Sequence, residues 1–289
     1  MSEQILREAE NRVVIEGYLS ENKLDYKTSQ QGKDYISGDL YIEVSESNIV
    51  PVNFFSFAEK KDGSPNKIYK ALANVIENYK SIAKVGREEA DKIKITGARL
   101  EGNEFYNTAG QLIQTFRIRS NFINKVTDVF NPQAVFEVEA YLQSIADEIK
   151  DEVPTDRLLV NAVIPMYQGR ISVIRFVVND SKGVKYIKDN YTEGDTVKLA
   201  GEVNNESIAV QRVEEMEFGD DIVQTFNRIK RELVITRGTK PYEDSRAFDP
   251  ATVKKAMIQR EIDLKTQLEE QQQNSKQFDT AFSNDDVPF

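Results

Sequence analysis

The side chains that do most enzyme chemistry are missing from this chain. Its 289 residues contain neither cysteine nor histidine, which removes thiol nucleophiles, imidazole bases, disulfides and the usual zinc ligands together. Carboxylate, lysine, serine and tyrosine chemistry remains, and the densest carboxylate runs are Glu214-Glu215-Met216-Glu217 and Asp220-Asp221. Such runs could hold magnesium in a nuclease. No lysine motif or phosphate loop accompanies them, and a solvated hairpin loop is the commoner reading. No catalytic residue, metal or cofactor is therefore expected. The other chemistry on offer is recognition: aromatic rings interleaved with arginines stack on bases and neutralise phosphates. Which of these rings and cations face outward is decided by the elements that carry them.

Alternation from Asn11 to Ser20, Tyr35 to Val44 and Ile49 to Ala58 predicts three strands, the last closing on Lys61-Asp62-Gly63-Ser64-Pro65. Apolar residues at three- and four-residue spacing from Ile68 to Val85 predict one amphipathic helix. Strands over Lys92 to Glu101 and Gln111 to Asn124 follow. This order is that of the OB-fold, a five-stranded barrel with a helix between its third and fourth strands.

The order recurs in residues 134–238, with side chains to match. Glu16-Gly17-Tyr18-Leu19 answers to Glu139-Ala140-Tyr141-Leu142, and Asp91-Lys92-Ile93-Lys94-Ile95-Thr96-Gly97 to Asp195-Thr196-Val197-Lys198-Leu199-Ala200-Gly201. Ile113-Gln114-Thr115-Phe116 answers to Val223-Gln224-Thr225-Phe226. Leu158 to Met166 and Ile171 to Asn179 supply two more strands, whereas Ser181 to Tyr191 is short enough to predict a truncated helix or a turn. The expected fold is mainly β: one OB barrel in residues 1–128, a second in 129–248, a helix in 249–272 and a flexible tail in 273–289. Asp249 and Pro250 mark the helix start. Its stripe of Val253, Met257, Leu264 and Leu268 would dock on its own domain or pair weakly with another copy.

Duplication allows side chains to be sorted. Pairing Val52 with Val173 places Phe55, Phe57, Ile174, Phe176 and Val178 on one parity, taken as core, and turns Phe54 and Arg175 outward on the surface that OB-folds use for oligonucleotides. The same test turns out Tyr18, Tyr41 and Tyr141, together with Arg117 and Arg119. In the second copy Lys182, Lys185, Arg228, Lys230 and Arg231 form a comparable cationic set, weakened by Glu137 and Glu139 on the face of Tyr141. Tyr18, Tyr41, Phe54, Arg117, Arg119, Tyr141, Arg175, Arg228 and Lys230 are the expected strand-binding residues. A covered barrel end accounts for any single outward tyrosine equally well.

The net charge is −10, but residues 1–128 are nearly neutral and the excess falls in the later segments, so a polyanion site centres on the first barrel. No run approaches the roughly 20 apolar residues of a membrane span, and the N-terminus does not read as a signal peptide. A cytoplasmic location is expected. Two barrels permit a working monomer, and the helix stripe permits a dimer.

The last residues, Asn284-Asp285-Asp286-Val287-Pro288-Phe289, read as a tethered ligand: Pro288 stops helix and ladder, the ring can fill a pocket, and the carboxylates steer it to a basic surface. This end resembles the acidic tip of single-stranded DNA-binding proteins, whose pattern is a run of aspartates followed by Ile-Pro-Phe. Asn284 and Val287 depart from it. With the two barrels, the resemblance extends over nearly the whole chain. It implies sequence-independent coating of single-stranded DNA during replication, recombination and repair. It also implies recruitment of partner enzymes through Asp285, Asp286, Val287, Pro288 and Phe289. The tandem barrels depart from the familiar bacterial protein, which has one per chain and assembles four, and are closer to phage-encoded versions. An OB-fold adaptor that binds proteins rather than DNA is the alternative.

Overall fold

In the computed structural model, which describes residues 6–107, 109–150, 152–214, 218, 222–243 and 245–282, the first half contains β1 (Asn11–Asn22), β2 (Asp25–Thr28), β3 (Asp34–Glu43), β4 (Ile49–Phe57), helices α1 (Lys67–Asn78) and α2 (Ile82–Val85), β5 (Lys92–Tyr106) and β6 (Leu112–Arg119). Antiparallel pairings join β1 to β3 and β5, β3 to β4 and β5 to β6. A parallel bridge from Asn53 to Arg119 closes the circuit. That circuit, with the helix between its third and fourth strands, is the OB barrel. After the short β7 (Asn124–Lys125), the second half repeats it with β8 (Gln133–Lys150), β9 (Val153–Pro165), β10 (Ile171–Val178), α3 (Ser181–Asn190), β11 (Thr196–Glu214) and β12 (Ile222–Gly238). Its closing bridge is Val177 to Val234. A final helix, α4 (Pro250–Phe282), completes the chain's described part.

The repeated side chains repeat their jobs. Leu19 N–H donates to Asp91 O at 2.9 Å and Leu142 N–H to Asp195 O at 2.8 Å. Each barrel also buries a glutamate at the same place. Glu16 pairs with Lys94 at 2.6 Å and accepts the Asn131 N–H at 2.8 Å; Glu139 pairs with Arg7 at 2.7 Å and accepts the Glu10 N–H at 3.0 Å. Burial alone would raise both carboxyls. The ion pairs and backbone donors outweigh it and hold both below the ordinary range. Glu16 thereby anchors the segment between the barrels, and Glu139 the segment that leads into β1.

Some elements differ from expectation. The helix expected over Ile68 to Val85 breaks at Tyr79, which is extended, because the Asp91 carboxylate takes the Lys80 N–H at 2.8 Å. Of the truncated helix or turn expected over Ser181 to Tyr191, the helix forms, as Ser181–Asn190, with the Asp180 side chain accepting the Gly183 N–H at 2.9 Å. The four exposed residues of β2, not foreseen, pair with β3 as an outer ribbon. Helix α4 passes Gln272 and runs to Phe282, through a stretch with no glycine or proline to stop it. The tip residues Asp285, Asp286, Val287, Pro288 and Phe289 lie outside the described residues, as do Asp220 and Asp221.

Three devices hold the barrels together. The first half of β1 pairs with β8, from Asn11↔Val138 to Glu16↔Gln133, so one sheet runs through both barrels. The long β11–β12 hairpin leaves its own barrel and docks on the β3–β4 turn. There the Asn48 amide donates to Val203 O at 3.0 Å and accepts the Asn205 N–H at 2.9 Å, and Ser207 N–H donates to Ser47 O at 3.1 Å. Reciprocally the β5–β6 hairpin crosses β10 so closely that a Cβ on Gly102 would lie 3.2 Å from Val173 O. Helix α4 packs on β5 and β10, burying Val253 and Leu264 and forking Arg260 onto Glu104, with Nε to Oε2 at 2.6 Å. Its sequence-predicted stripe docks on its own chain.

Candidate nucleic-acid interface

On β4 the side chains of Val50, Val52, Phe54 and Ser56 are buried while those of Asn53, Phe55 and Phe57 reach the outer face. Phe54 is wholly buried and so is not an outward stacking residue. The expected phase of β4 was inverted because pairing Val52, which is buried, with Val173, which is not, puts the two copies out of step by an odd number of residues, and an odd slip exchanges the faces of a strand. On β10 the phase was read correctly: Ile174, Phe176 and Val178 are buried and Arg175 is exposed. Val50 and Val52 share the parity of Phe54, and this aliphatic row inside β4 was the signal that carried the phase.

With the phase set, an aromatic cluster appears on the outer face of β3 and β4. Tyr35 and Phe55 have ring centroids 5.4 Å apart, Phe55 and Phe57 4.9 Å, and Tyr35 and Phe57 5.9 Å. Phe57 is 40% exposed. The Arg119 guanidinium lies 5.8 Å from the Phe55 centroid and 3.8 Å from Glu101. Arg117, exposed on the same strand, lies across from Glu101 in the β5–β6 ladder. Asn53, between them and β3, donates to Asp39 at 2.9 Å. Rings in mutual contact beside cations make a stacking platform with phosphate partners at its edge.

The corresponding face of the second barrel is a groove of about 620 Å³ walled on one side by the β5–β6 hairpin of the first. Its floor carries Arg175, whose Nε donates to Asn161 at 3.1 Å, while Asn161 donates to Ser144 at 2.9 Å. Val173, Leu159 and Ile149 add apolar surface, and Glu148 and Glu232 add negative charge. Arg231 closes one end, its guanidinium 4.4 Å over the Phe116 ring. Among the described residues that line it, Phe116 is the one aromatic.

The remaining sequence-predicted residues divide. Tyr41 lies under Lys23, 4.9 Å from its ammonium, and neighbours Arg231. With Arg117, Arg119 and Arg175 it belongs to the region around the two faces. Arg228 is exposed on the β12 extension, and Lys230 there pairs with Glu232 at 2.9 Å. Tyr18 is elsewhere: it packs edge-on to Phe130 at 5.0 Å, with Arg87 and Lys92 at 4.7 and 5.8 Å. It covers the seat of the inter-barrel connection. Tyr141 packs against the core beside Gly194, and Lys182 lies in a separate cleft between α3 and β12.

Barrel closure and an outward aromatic and cationic face define a tandem OB-fold protein with a candidate surface for single strands. The chain belongs to the YorF family, whose model matches residues 9–275. No curated protein matches it. Among solved structures it is similar to the wild-type single-stranded DNA binding protein from Thermus aquaticus, at 11% identity and a TM-score of 0.48 over 82% of this chain and 96% of that one. A deletion mutant of the same protein gives 13% and 0.46 over 84% and 98%. Replication Protein A bound to ssDNA gives 13% and 0.23 over 82% and 51%. The fold assignment here rests on the strand pairings. Among the described residues, no helix is long and apolar enough to cross a membrane.

Proposed function

We propose that this protein binds single-stranded DNA without sequence preference and without catalysis. The observation that carries the reading is the Tyr35, Phe55 and Phe57 cluster, held outward beside Arg119 on the OB face. Each ring offers a flat apolar surface to any base, and stacking of this kind contributes about 1 to 3 kcal/mol per base. Arg117, Arg119 and Arg175 supply charge for the backbone, and the groove of the second barrel extends the surface. Arg228 and Lys230, on the β12 extension, would track the strand further. Asp285, Asp286, Val287, Pro288 and Phe289 would recruit replication, recombination or repair enzymes in the manner of the tips they resemble, as in a phage-type protein acting in the cytoplasm.

A labelled oligo-dT titrated at two salt concentrations tests the reading. Binding that weakens with salt by about 0.7 log units per log salt for every phosphate neutralised is the expected result. No binding at low salt would end it.

A further inference from the structure

Arg231 is a cation with no direct ionic partner among the described residues. It belongs to the second barrel's β12 yet lies at the first barrel, stacked on Phe116 at 4.4 Å. Among the described residues its guanidinium has neither a hydrogen bond nor an ion pair. It is half-buried, and a desolvated guanidinium costs free energy unless an anion or acceptors meet it. The groups facing it from the first barrel are Asp39, Arg117 and Tyr41. Asp39 is the attractive charge there and also accepts from the Asn53 amide, and Arg117, across the ladder from Glu101, is a second cation with no ion pair among the described residues. The two arginines repel, and with one carboxylate beside them the seam keeps a net positive charge.

The position has a direction as well as a charge. On one side, Asp39 and Asn53 lead to Arg119, Phe55 and Phe57. On the other, Arg231 lines the groove whose floor is Arg175. Resting on the single-strand reading above, we propose that a backbone phosphate sits at the seam between the barrels, held by Arg231 and Arg117. One strand then runs unbroken from the aromatic face of the first barrel into the groove of the second. The two barrels form one site, and Arg231 couples its halves. Phe116 holds the guanidinium plane in place, so that its edge N–H donors are presented to the strand.

The test compares oligo-dT of about 6 nucleotides, accommodated on one barrel, with one of about 24, long enough for both. Fluorescence anisotropy is read across a salt series for the full chain and for Arg231→Ala, Arg231→Gln and Arg231→Lys. Arg231→Ala should weaken the longer oligonucleotide about tenfold and lower its salt slope by about 0.7, while changing the shorter one by less than about twofold. Arg231→Gln, which keeps a planar end on Phe116 but loses the charge, should do the same and stands in if the alanine variant fails to fold. Arg231→Lys should restore the slope. Unchanged affinity and slope for the longer oligonucleotide, or equal losses at both lengths, would overturn the seam while leaving single-strand binding intact. No wild-type binding at either length would sink the underlying reading instead.

Discussion

The two barrels share a scaffold and differ in surface. Both close by the same five-strand circuit, both bury a glutamate that fastens a segment next to the barrel strands, and both send a hairpin across the other barrel. Outside this frame they diverge: the first presents Tyr35, Phe55 and Phe57, while the second presents a groove floored by Arg175 and Asn161 between carboxylates. Duplication preserves what closes a barrel, because every inward position is tied to its neighbours by packing. Outward positions are free to specialise. On the function proposed above, the first barrel would stack bases and the second would hold the backbone.

The sharpest way to break this contrast is to remove the stacking face. Phe55→Ala with Phe57→Ala should cost roughly 2 to 4 kcal/mol of oligo-dT affinity with little change in melting temperature, since both rings lie outside the core; unaltered affinity would mean that the first barrel is no stacking platform. Equivalence of the scaffolds has its own limit at the paired glycines. A Cβ at Gly201 would lie 1.9 Å from Val234 O, whereas one at Gly97 meets nothing within 4 Å. Gly201→Ala should therefore destabilise by about 1 to 3 kcal/mol and Gly97→Ala by no more than about 0.5, read by thermal melting. Similar values for the two would show that β12 yields at this point.

The buried glutamates sharpen the likeness. Their folded carboxyls titrate below the ordinary value of 4.5, so in acid the unfolded chain takes up protons first. The stability they confer is complete above that value and is lost as pH falls through the folded pKa. Melting temperature should fall on acidification from about pH 5 to about pH 3. Glu16→Gln and Glu139→Gln should each flatten that fall, and a response from only one of them would show that the twins do not do equal work. The smallest effect concerns the second barrel alone. Arg175→Ala should weaken oligo-dT by about 1 kcal/mol and lower the salt slope, and a loss as large as that of the paired phenylalanine change would reverse the division of labour.

Composition, strand order and duplication could all be read along the chain, because alternation and the match of Glu16-Gly17-Tyr18-Leu19 with Glu139-Ala140-Tyr141-Leu142 are local. The expectation of two OB barrels followed by a helix needed nothing more. The faces were legible only in part. Arg175 came out outward because β10 carries its own aliphatic row, but borrowing a register from the other copy inverted β4, hiding Phe55 and Phe57 in the core and exposing Phe54 on paper. Tyr18 is outward on its strand, as alternation says, yet Phe130 returns from the connecting segment to cover it, and alternation cannot see a segment that comes back from afar.

The sequence by itself determined the barrels, their number and the chemistry available to them, since periodicity and residue type act within a few positions. Tertiary structure decided which rings meet, which tyrosine is covered and where Arg231 lies. That last placement exists only because a hairpin of one barrel crosses to the other, bringing residues far apart in the chain within reach of one phosphate.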